Sequence, residues 1–289
     1  MAGPILITFP PSLDSELSRF LLAHYGISHT ERRHTLIFCF LVTLWRGCTF
    51  LFPLLYGSSY RLDTVRKIVD RFDPLAAEER KLLPASPDRE KVESDWPLFN
   101  DTLAFASAVF AYYHLLPHRK IMIRPLTEGV PRFEERAVRA AYPIFAGLLR
   151  LLLRLTKARA ESAFEQAKAV FTDVDARLGD GRRYLVGGRF SLSDMAFAVA
   201  AAPFVLPDNY GGPLPPLADM PPLVKDAIGE MRRRPAGLFA LDIYEQFRAG
   251  YLAPSEGGDG AAPNAGIVER PPGAPGGAPR AGRGGALPG

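Results

Sequence analysis

Cysteine is scarce in this chain: only Cys39 and Cys48 occur among 289 residues. The two form no Cys-x-x-Cys pair, and two thiols are too few for a disulfide framework. Cys39 lies in an apolar run, which is typical of an inert core thiol. Residues 1–11 lack a basic segment followed by an apolar one, so no secretory signal is expected. The sequence therefore favours a reducing, cytoplasmic location.

A long uninterrupted apolar run is also missing. Residues 35–56 are strongly apolar, but Arg46 and Gly47 divide them and Pro53 follows. A membrane span needs about 20 consecutive apolar residues, and an arginine at mid-bilayer is costly. The two pieces are better suited to buried strands and connectors, so the sequence argues against a membrane span. Association with a membrane through the apolar stretch around 37–51 stays open as a third, less favoured hypothesis.

The basic residues are not concentrated in one stripe. The net charge is only +4, and the basic clusters at 32–33, 182–183 and 232–234 lie in different segments. Nucleic-acid-binding domains usually show a concentrated basic patch. These clusters are interpreted as solvated surface, and no nucleic-acid partner is expected.

A metal site is not expected either. His114 and His118 are four residues apart, a spacing that can place two imidazoles on one helix face. Pro117 lies between them and would interrupt that helix. Surface histidines are the favoured interpretation.

Residues 1–73 have the pattern of a small α/β domain. A short apolar strand at 5–9 is followed by an amphipathic helix at 15–25, with Gly26 just past its end. A polar segment at 27–32 suits an edge strand, and Gly57-Ser58-Ser59 suits the turn of a hairpin over 54–62. Asp63 is predicted to cap a helix over 64–72.

The rest of the chain has no strand pattern. Residues 74–92 are charged and contain proline, which predicts a linker with some helical turn. An all-helical domain is predicted over 93–251, and a disordered tail rich in Gly, Pro and Ala over 252–289. Helical stretches are predicted at 93–116, 132–157, 160–178, 191–205, 220–234 and 236–249.

Two of these helices are predicted to be buried. The second half of 134–157 is apolar on nearly every face, which indicates a central helix. Ser191 and Asp194 form a capping box at the start of another helix that is apolar all round. A structural role is therefore predicted for Ser191 and Asp194.

Three motifs, in order, resemble the soluble glutathione S-transferase superfamily. The first runs from Pro10-Pro11-Ser12 into a helix that ends at Gly26-Ile27, and the second is Phe52-Pro53 with its hairpin and Asp63-Thr64. The third and most specific is Tyr184-Leu185-Val186-Gly187-Gly188 followed by Phe190-Ser191-Leu192-Ser193-Asp194. The resemblance covers roughly residues 4–250. It departs from the family at 44–53, where the usual approach to the proline is absent, in a region that contacts the glycyl end of glutathione in relatives.

The resemblance implies a fold and an activity. The fold is α/β plus all-α: a thioredoxin-like N-terminal domain followed by an all-helical C-terminal domain. The implied activity is conjugation, or another use, of the thiolate of the co-substrate glutathione against a small electrophile, in detoxification, by a cytoplasmic homodimer. Ser12 would activate the thiolate, the Phe52 backbone beside a cis Pro53 would hold the cysteinyl part, and Asp63 and Thr64 would hold the γ-glutamyl group. The electrophile would lie between the domains, against the helix over 105–116.

Other interpretations of the same residues stay open. Ser12 or Ser15 can be a plain helix cap, with Ser15 the favoured one, and Asp63 and Thr64 can be a cap pair. Pro53 can be an ordinary proline at the start of a strand. The apolar spacing of Phe105, with Val109, Tyr112 and Leu116, also fits a core stripe. The altered 44–53 segment favours the alternative function, a non-catalytic module of this fold that binds a ligand or a protein.

Overall fold

The computed structural model describes residues 3–48 and 52–248. Its sheet has four strands in the order β2-β1-β3-β4: β1 (Ile5–Thr8), β2 (Thr30–Arg33), β3 (Leu54–Tyr56) and β4 (Arg61–Leu62). β1 is parallel to β2 and antiparallel to β3, and β3 and β4 form the hairpin. The predicted βαβ unit, edge strand and hairpin are confirmed.

Three helices flank this sheet: α1 (Leu13–His24), α2 (Leu36–Trp45) and α3 (Val65–Phe72). The apolar stripe of α1 drives its packing, since Leu17, Phe20 and Leu21 are buried. Gly26 ends α1 with φ of 70°, a left-handed conformation that glycine adopts without a Cβ penalty. Residues 36–45 of the apolar segment form the helix α2, where the sequence suggested buried strands and connectors.

The C-terminal part is helical. The helices are α4 (Asp88–Trp96), α5 (Ala104–Leu115), α6 (Arg119–Thr127), α7 (Arg132–Ala140), α8 (Tyr142–Leu152), α9 (Lys157–Leu178), α10 (Leu192–Val205), α11 (Pro222–Arg232) and α12 (Pro235–Ile243). Pro97–Leu103 forms a π-helical stretch between α4 and α5, and Tyr244–Arg248 forms another after α12. The segment 74–92 contains the short 3₁₀ helix Glu78–Arg80, the last residues of the 3₁₀ helix Asp73–Leu75 and the start of α4.

Helix α10 is the centre of the helical part. All of its residues except Pro203 are buried, as its uniformly apolar sequence predicts. The carboxylate of Asp194 accepts hydrogen bonds from the backbone N–H of Leu185, at 2.7 Å, and of Ser191, at 2.8 Å. The predicted capping box and its structural role are confirmed.

The single central helix predicted over 134–157 is wrong. The chain breaks at Ala141, between α7 and α8, where the following Tyr142-Pro143 begins a new helix. Ile144 and Leu151 of α8 are 75% and 74% exposed, so this helix lies at the surface although it is apolar on most faces.

A buried charge cluster joins the two parts of the chain. Glu16 of α1 accepts hydrogen bonds from Arg248 Nε at 3.2 Å and from the Gly211 N–H at 3.0 Å, and its other oxygen lies 3.3 Å from Arg19 Nη1. Arg19 Nε lies 2.8 Å from Glu31 on β2. Ion pairs between α1, β2 and the last described residues therefore fix the α/β part against the helical part.

Within the described residues, no helix is both long and apolar enough to cross a membrane.

Candidate active site

Ser12 is the N-cap of α1. Its Oγ accepts a hydrogen bond from the Ser15 N–H at 3.4 Å, which leaves the Ser12 hydroxyl proton available to another acceptor. Ser15, the favoured cap in the sequence, is instead buried, and its Oγ accepts a hydrogen bond from the Phe9 N–H at 3.2 Å. The prediction that Ser15 caps the helix is therefore wrong, because the helix begins one turn earlier.

The Phe52–Pro53 peptide bond is cis, as predicted. It directly precedes β3, whose Leu54 pairs with Ile7 of β1, so this bond lies next to the end of β1. The Phe52 ring contacts the rings of Phe9 and Phe40, with centroids 5.8 Å and 5.4 Å away. These contacts hold Phe52 close to the loop that carries Ser12.

Thr64, and not Asp63, is the N-cap of α3. The Thr64 Oγ1 accepts a hydrogen bond from the Lys67 N–H at 3.2 Å, whereas the Asp63 carboxylate lies 2.6 Å from Lys67 Nζ. The prediction that Asp63 caps this helix is thus wrong by one residue. The first turn of α3 still presents backbone N–H groups and a hydroxyl, the groups that bind an anion at a helix N-terminus.

A cavity of about 400 Å³ lies between the α/β part and the helical part. Ser12 and Phe52 both line it, and α5 contributes Phe105, Ala108 and Tyr112. The wall is mostly apolar, and none of its described residues is Lys, Arg or His. A cavity of this size and lining suits an uncharged, largely apolar small molecule.

The predicted core stripe of α5 is thus divided between two environments. Val109 and Leu116 are buried in the protein interior, whereas Phe105 and Tyr112 line the cavity. The core-stripe interpretation thus holds for Val109 and Leu116 alone, and the electrophile site stays a prediction.

Asp14 is the acidic group of the cavity wall, and the sequence did not single it out. It lies in the first turn of α1, two residues after Ser12. Burial, and to a smaller extent the Asp101 carboxylate, raises the pKa of Asp14 from its ordinary value of 3.8 to about 6. No sequence pattern marks this position, because its environment is made by residues about 90 positions away.

The predicted site residues fall into two groups. Ser12 and Phe52 share the cavity, whereas Asp63 and Thr64 lie outside its wall, at the N-terminus of α3. Tyr210, in the loop after α10, also lines the cavity, and burial raises its pKa. Sequence analysis missed the contribution of this loop, since its prolines and glycines suggest only a connection.

Neither cysteine is placed for nucleophilic chemistry. Burial raises the pKa of Cys39 to about 12 and also raises the pKa of Cys48. Among the described residues, no group of three or more His, Cys, Asp or Glu side chains could hold a metal ion.

Part of the helical region matches a known protein family. Residues 156–225 match the family model described as the glutathione S-transferase C-terminal domain. Residues 156–225 thus resemble a glutathione S-transferase C-terminal domain, and they lie in the helical part that follows the four-stranded sheet described above. A comparison with curated protein sequences found no match.

Solved structures share the glutathione S-transferase fold along most of this chain. The β-etherase LigF of Sphingobium sp. strain SYK-6 superposes with a TM-score of 0.51 at 15% identity, covering 83% of this chain and 99% of its own. A glutathione S-transferase of Sinorhizobium meliloti 1021 superposes with a TM-score of 0.50 at 17% identity, covering 88% and 97%. One of Rhodospirillum rubrum F11 superposes with a TM-score of 0.50 at 15% identity, covering 81% and 90%. At these identities the likeness concerns the fold alone.

Proposed function

We propose that this chain is a glutathione transferase that conjugates, or otherwise uses, the glutathione thiolate against a small apolar electrophile. The observation that carries the proposal is the position of Ser12, a helix N-cap that lines a mostly apolar cavity. A free thiol titrates near pH 8.5, so little thiolate is present at neutral pH. A hydroxyl donor and the positive end of a helix both favour the anion.

Glutathione would lie across the end of the sheet in an extended conformation. The Phe52 backbone would pair with its cysteinyl part as the edge of a ladder does. The Thr64 hydroxyl and the N-terminal N–H groups of α3 suit the γ-glutamyl carboxylate, and the Asp63 carboxylate suits the γ-glutamyl ammonium. The thiol would then point toward Ser12 and the electrophile would occupy the cavity, whose wall supplies apolar contacts and excludes water.

In the conjugation step one bond forms and one bond breaks at the electrophilic carbon. The thiolate sulfur forms a bond to an electrophilic carbon, and the leaving group departs with the electron pair of its own bond. The glutathione proton goes to water before the attack, and the Ser12 hydroxyl keeps its proton throughout. Ser12 therefore acts by stabilising the anion, not as a nucleophile.

The test is calorimetric titration of glutathione, followed by kinetics of Ser12→Ala. We expect saturable binding by wild type and by Ser12→Ala, binding weakened by the double change of Asp63 and Thr64 to alanine, and kcat lowered in Ser12→Ala by roughly tenfold to a hundredfold. The pH profile of Ser12→Ala should move to higher pH, and Ser12→Thr should recover part of the rate. Equal rates for wild type and Ser12→Ala would refute the role of Ser12.

The second candidate function is a non-catalytic binding module of the same fold. It is favoured by one observation: α2, from Leu36 to Trp45, carries no charged side chain. A helix of this kind offers no cationic side chain to the glycyl carboxylate of glutathione. Absence of binding heat at millimolar glutathione, measured at two temperatures, with an intact circular dichroism spectrum, would support this function.

A further inference from the structure

Helix α8 is apolar on two opposite sides but packs on only one. Phe145 and Leu149 are buried on the inner side, whereas Ile144 and Leu151 are largely exposed on the outer side. Exposed apolar residues scattered singly are normal on a protein surface, but a stripe at helical spacing is not. The outer side of α8 therefore needs an explanation.

Similar side chains are concentrated on α2, and one lies on α7. Of thirteen large apolar side chains that are exposed in the described residues, eight lie on α2, α7 and α8. Trp45 is 81% exposed and Phe133 is 59% exposed. We call these eight residues the apolar face: Ile37, Leu41, Leu44, Trp45, Phe133, Ile144, Leu151 and Leu152.

The three helices of the apolar face are neighbours. The ring centroids of Phe38 on α2 and Phe133 on α7 are 5.2 Å apart. The carboxylate of Glu134 on α7 accepts a hydrogen bond of 2.7 Å from the N–H of Thr35, the residue just before α2. Its other oxygen lies 2.7 Å from Nδ1 of the preceding His34. α2 and α8 both contribute to the wall of the cavity, and Leu152 belongs to both that wall and the apolar face. α2 and α8 thus form part of the cavity wall, and α7 is adjacent to both helices.

This part of the molecule is also strongly basic. Residues 119–159 contain ten Lys and Arg against three Asp and Glu, whereas the net charge of the whole chain is +4. Arg132 and Arg136 are exposed on α7 beside Phe133, and Arg150 and Arg154 are exposed beside Leu151. Within the described ranges, no carboxylate forms an ion pair with any of these four arginines. The cationic charge of this region is therefore available to an anionic partner.

We propose that the apolar face docks onto the surface of an anionic phospholipid bilayer. Exposed Leu, Ile, Phe and Trp side chains beside unpaired arginines are the chemistry of helices that lie in the plane of the membrane interface. The apolar side chains enter the headgroup and acyl boundary, and the arginines contact anionic headgroups. The mode is peripheral, since no helix of the described residues could cross a membrane.

Charge also favours a bilayer over a second copy of this chain. In a two-fold dimer each face meets its own equivalent, so the four unpaired arginines would face four more. Such a contact places like charges together in a region of reduced dielectric constant. An anionic lipid surface satisfies both the apolar and the basic groups.

The experiment measures binding of the full chain to vesicles by co-sedimentation. Vesicles of phosphatidylcholine alone are compared with vesicles that also contain phosphatidylglycerol. We expect binding to the anionic vesicles that is at least about tenfold tighter, and that weakens when salt rises from about 0.05 M to about 0.5 M. In a Trp96→Phe background, the fluorescence of Trp45 should shift to shorter wavelength on the anionic vesicles.

Matched variants separate this face from the rest of the surface. Ile144→Gln with Leu151→Gln should weaken binding at least about tenfold, because both residues insert. Leu223→Gln with Leu238→Gln, at sites 56% and 57% exposed on α11 and α12, should leave it unchanged. Arg132→Gln with Arg136→Gln should weaken binding about tenfold, whereas Arg232→Gln with Arg233→Gln, which removes the same charge elsewhere, should weaken it less than threefold.

Three results would overturn the proposal. The first is that the full chain sediments with neither kind of vesicle. The second is that each variant pair and its matched control change vesicle binding equally. The third is that the wild type is a dimer that Ile144→Gln with Leu151→Gln converts to a monomer. The last result would assign the apolar face to a second copy. None of the four changed residues of the apolar face and its arginines lines the cavity. An unchanged circular dichroism spectrum and thermal unfolding midpoint check that each variant is folded.

Discussion

Asp14 is a carboxyl group whose ionisation destabilises the folded state. Its folded pKa of about 6 lies above the unfolded value near 3.8, so the folded state holds this proton more tightly. Above pH 6 the carboxyl is ionised in both states, and its burial opposes folding. As pH falls from 6 to 4 that opposition disappears, because the folded state takes up the proton first.

Replacement of Asp14 by asparagine should therefore stabilise the protein at neutral pH. We expect a gain of about 1–3 kcal/mol in the free energy of unfolding at pH 7.5 that fades to zero below pH 4. Urea denaturation at both pH values measures it, with the exposed Asp219→Asn as control. A gain of the same size at pH 4 would show that the carboxylate charge is not the cause.

Asp194 illustrates the opposite case, in which a buried carboxyl supports its helix. Burial raises the pKa of Asp194 to about 6, while its hydrogen bonds to Leu185 and Ser191 lower it. Removal of the side chain leaves three donors without their acceptor, among them the Ser191 hydroxyl. The residue thus joins the start of α10 to the loop before it.

Asp194→Ala should destabilise the protein by about 2–4 kcal/mol, because the buried donors lose their partner. The matched control is Thr156→Ala, which removes an exposed cap of α9 and should cost about 1 kcal/mol. Thermal denaturation at constant pH compares the two. Equal losses would mean that burial adds nothing to the value of the Asp194 cap.

At the scale of the helices and strands, local patterns predicted most of the architecture. The edge strand, the hairpin and the Ser191 capping box are encoded by residues close together in sequence, and each is present. Whether a helix lies in the centre or at the surface of the protein is not encoded by neighbouring residues in this way. Apolar residues on every side correctly predicted that α10 is buried and wrongly predicted that the region of α8 is buried.

The same distinction applies to the candidate site. Ser12 and Phe52 could be proposed from motifs, because their surroundings are set by the strand and turn next to them. Asp14 and Tyr210 could not, since their places on the cavity wall depend on contacts between distant segments. The cap positions were off by a few residues because Ser, Thr and Asp all suit a helix start.

At the scale of the whole molecule, the buried cluster around Glu16 holds the two parts together. Glu16 and Arg248 are both almost completely inaccessible to solvent. A buried charge that loses its partner is strongly destabilising, whereas an exposed pair contributes little. The cluster should therefore determine whether the two parts unfold together.

Glu16→Gln should lower the free energy of unfolding by about 3–5 kcal/mol, since it leaves Arg19 and Arg248 with less compensation. The control is Glu165→Gln, which breaks an exposed pair with Lys168 and should change it by less than about 0.5 kcal/mol. Urea denaturation followed by circular dichroism and by tryptophan fluorescence measures both. If Glu16→Gln unfolds at the same urea concentration as the wild type, with the two probes giving the same transition, the role given to the cluster is contradicted.

The separation of Glu16 from Arg248 has a consequence for biosynthesis. The two partners are 232 positions apart, and a ribosome that adds about 5–20 residues per second needs roughly 10 to 50 s to make the second after the first. During that interval the nascent α/β part emerges with the Glu16 carboxylate still hydrated. α1 cannot yet pack against Arg248. Synthesis as far as Arg248 is thus a condition for completing the α/β part that was made first.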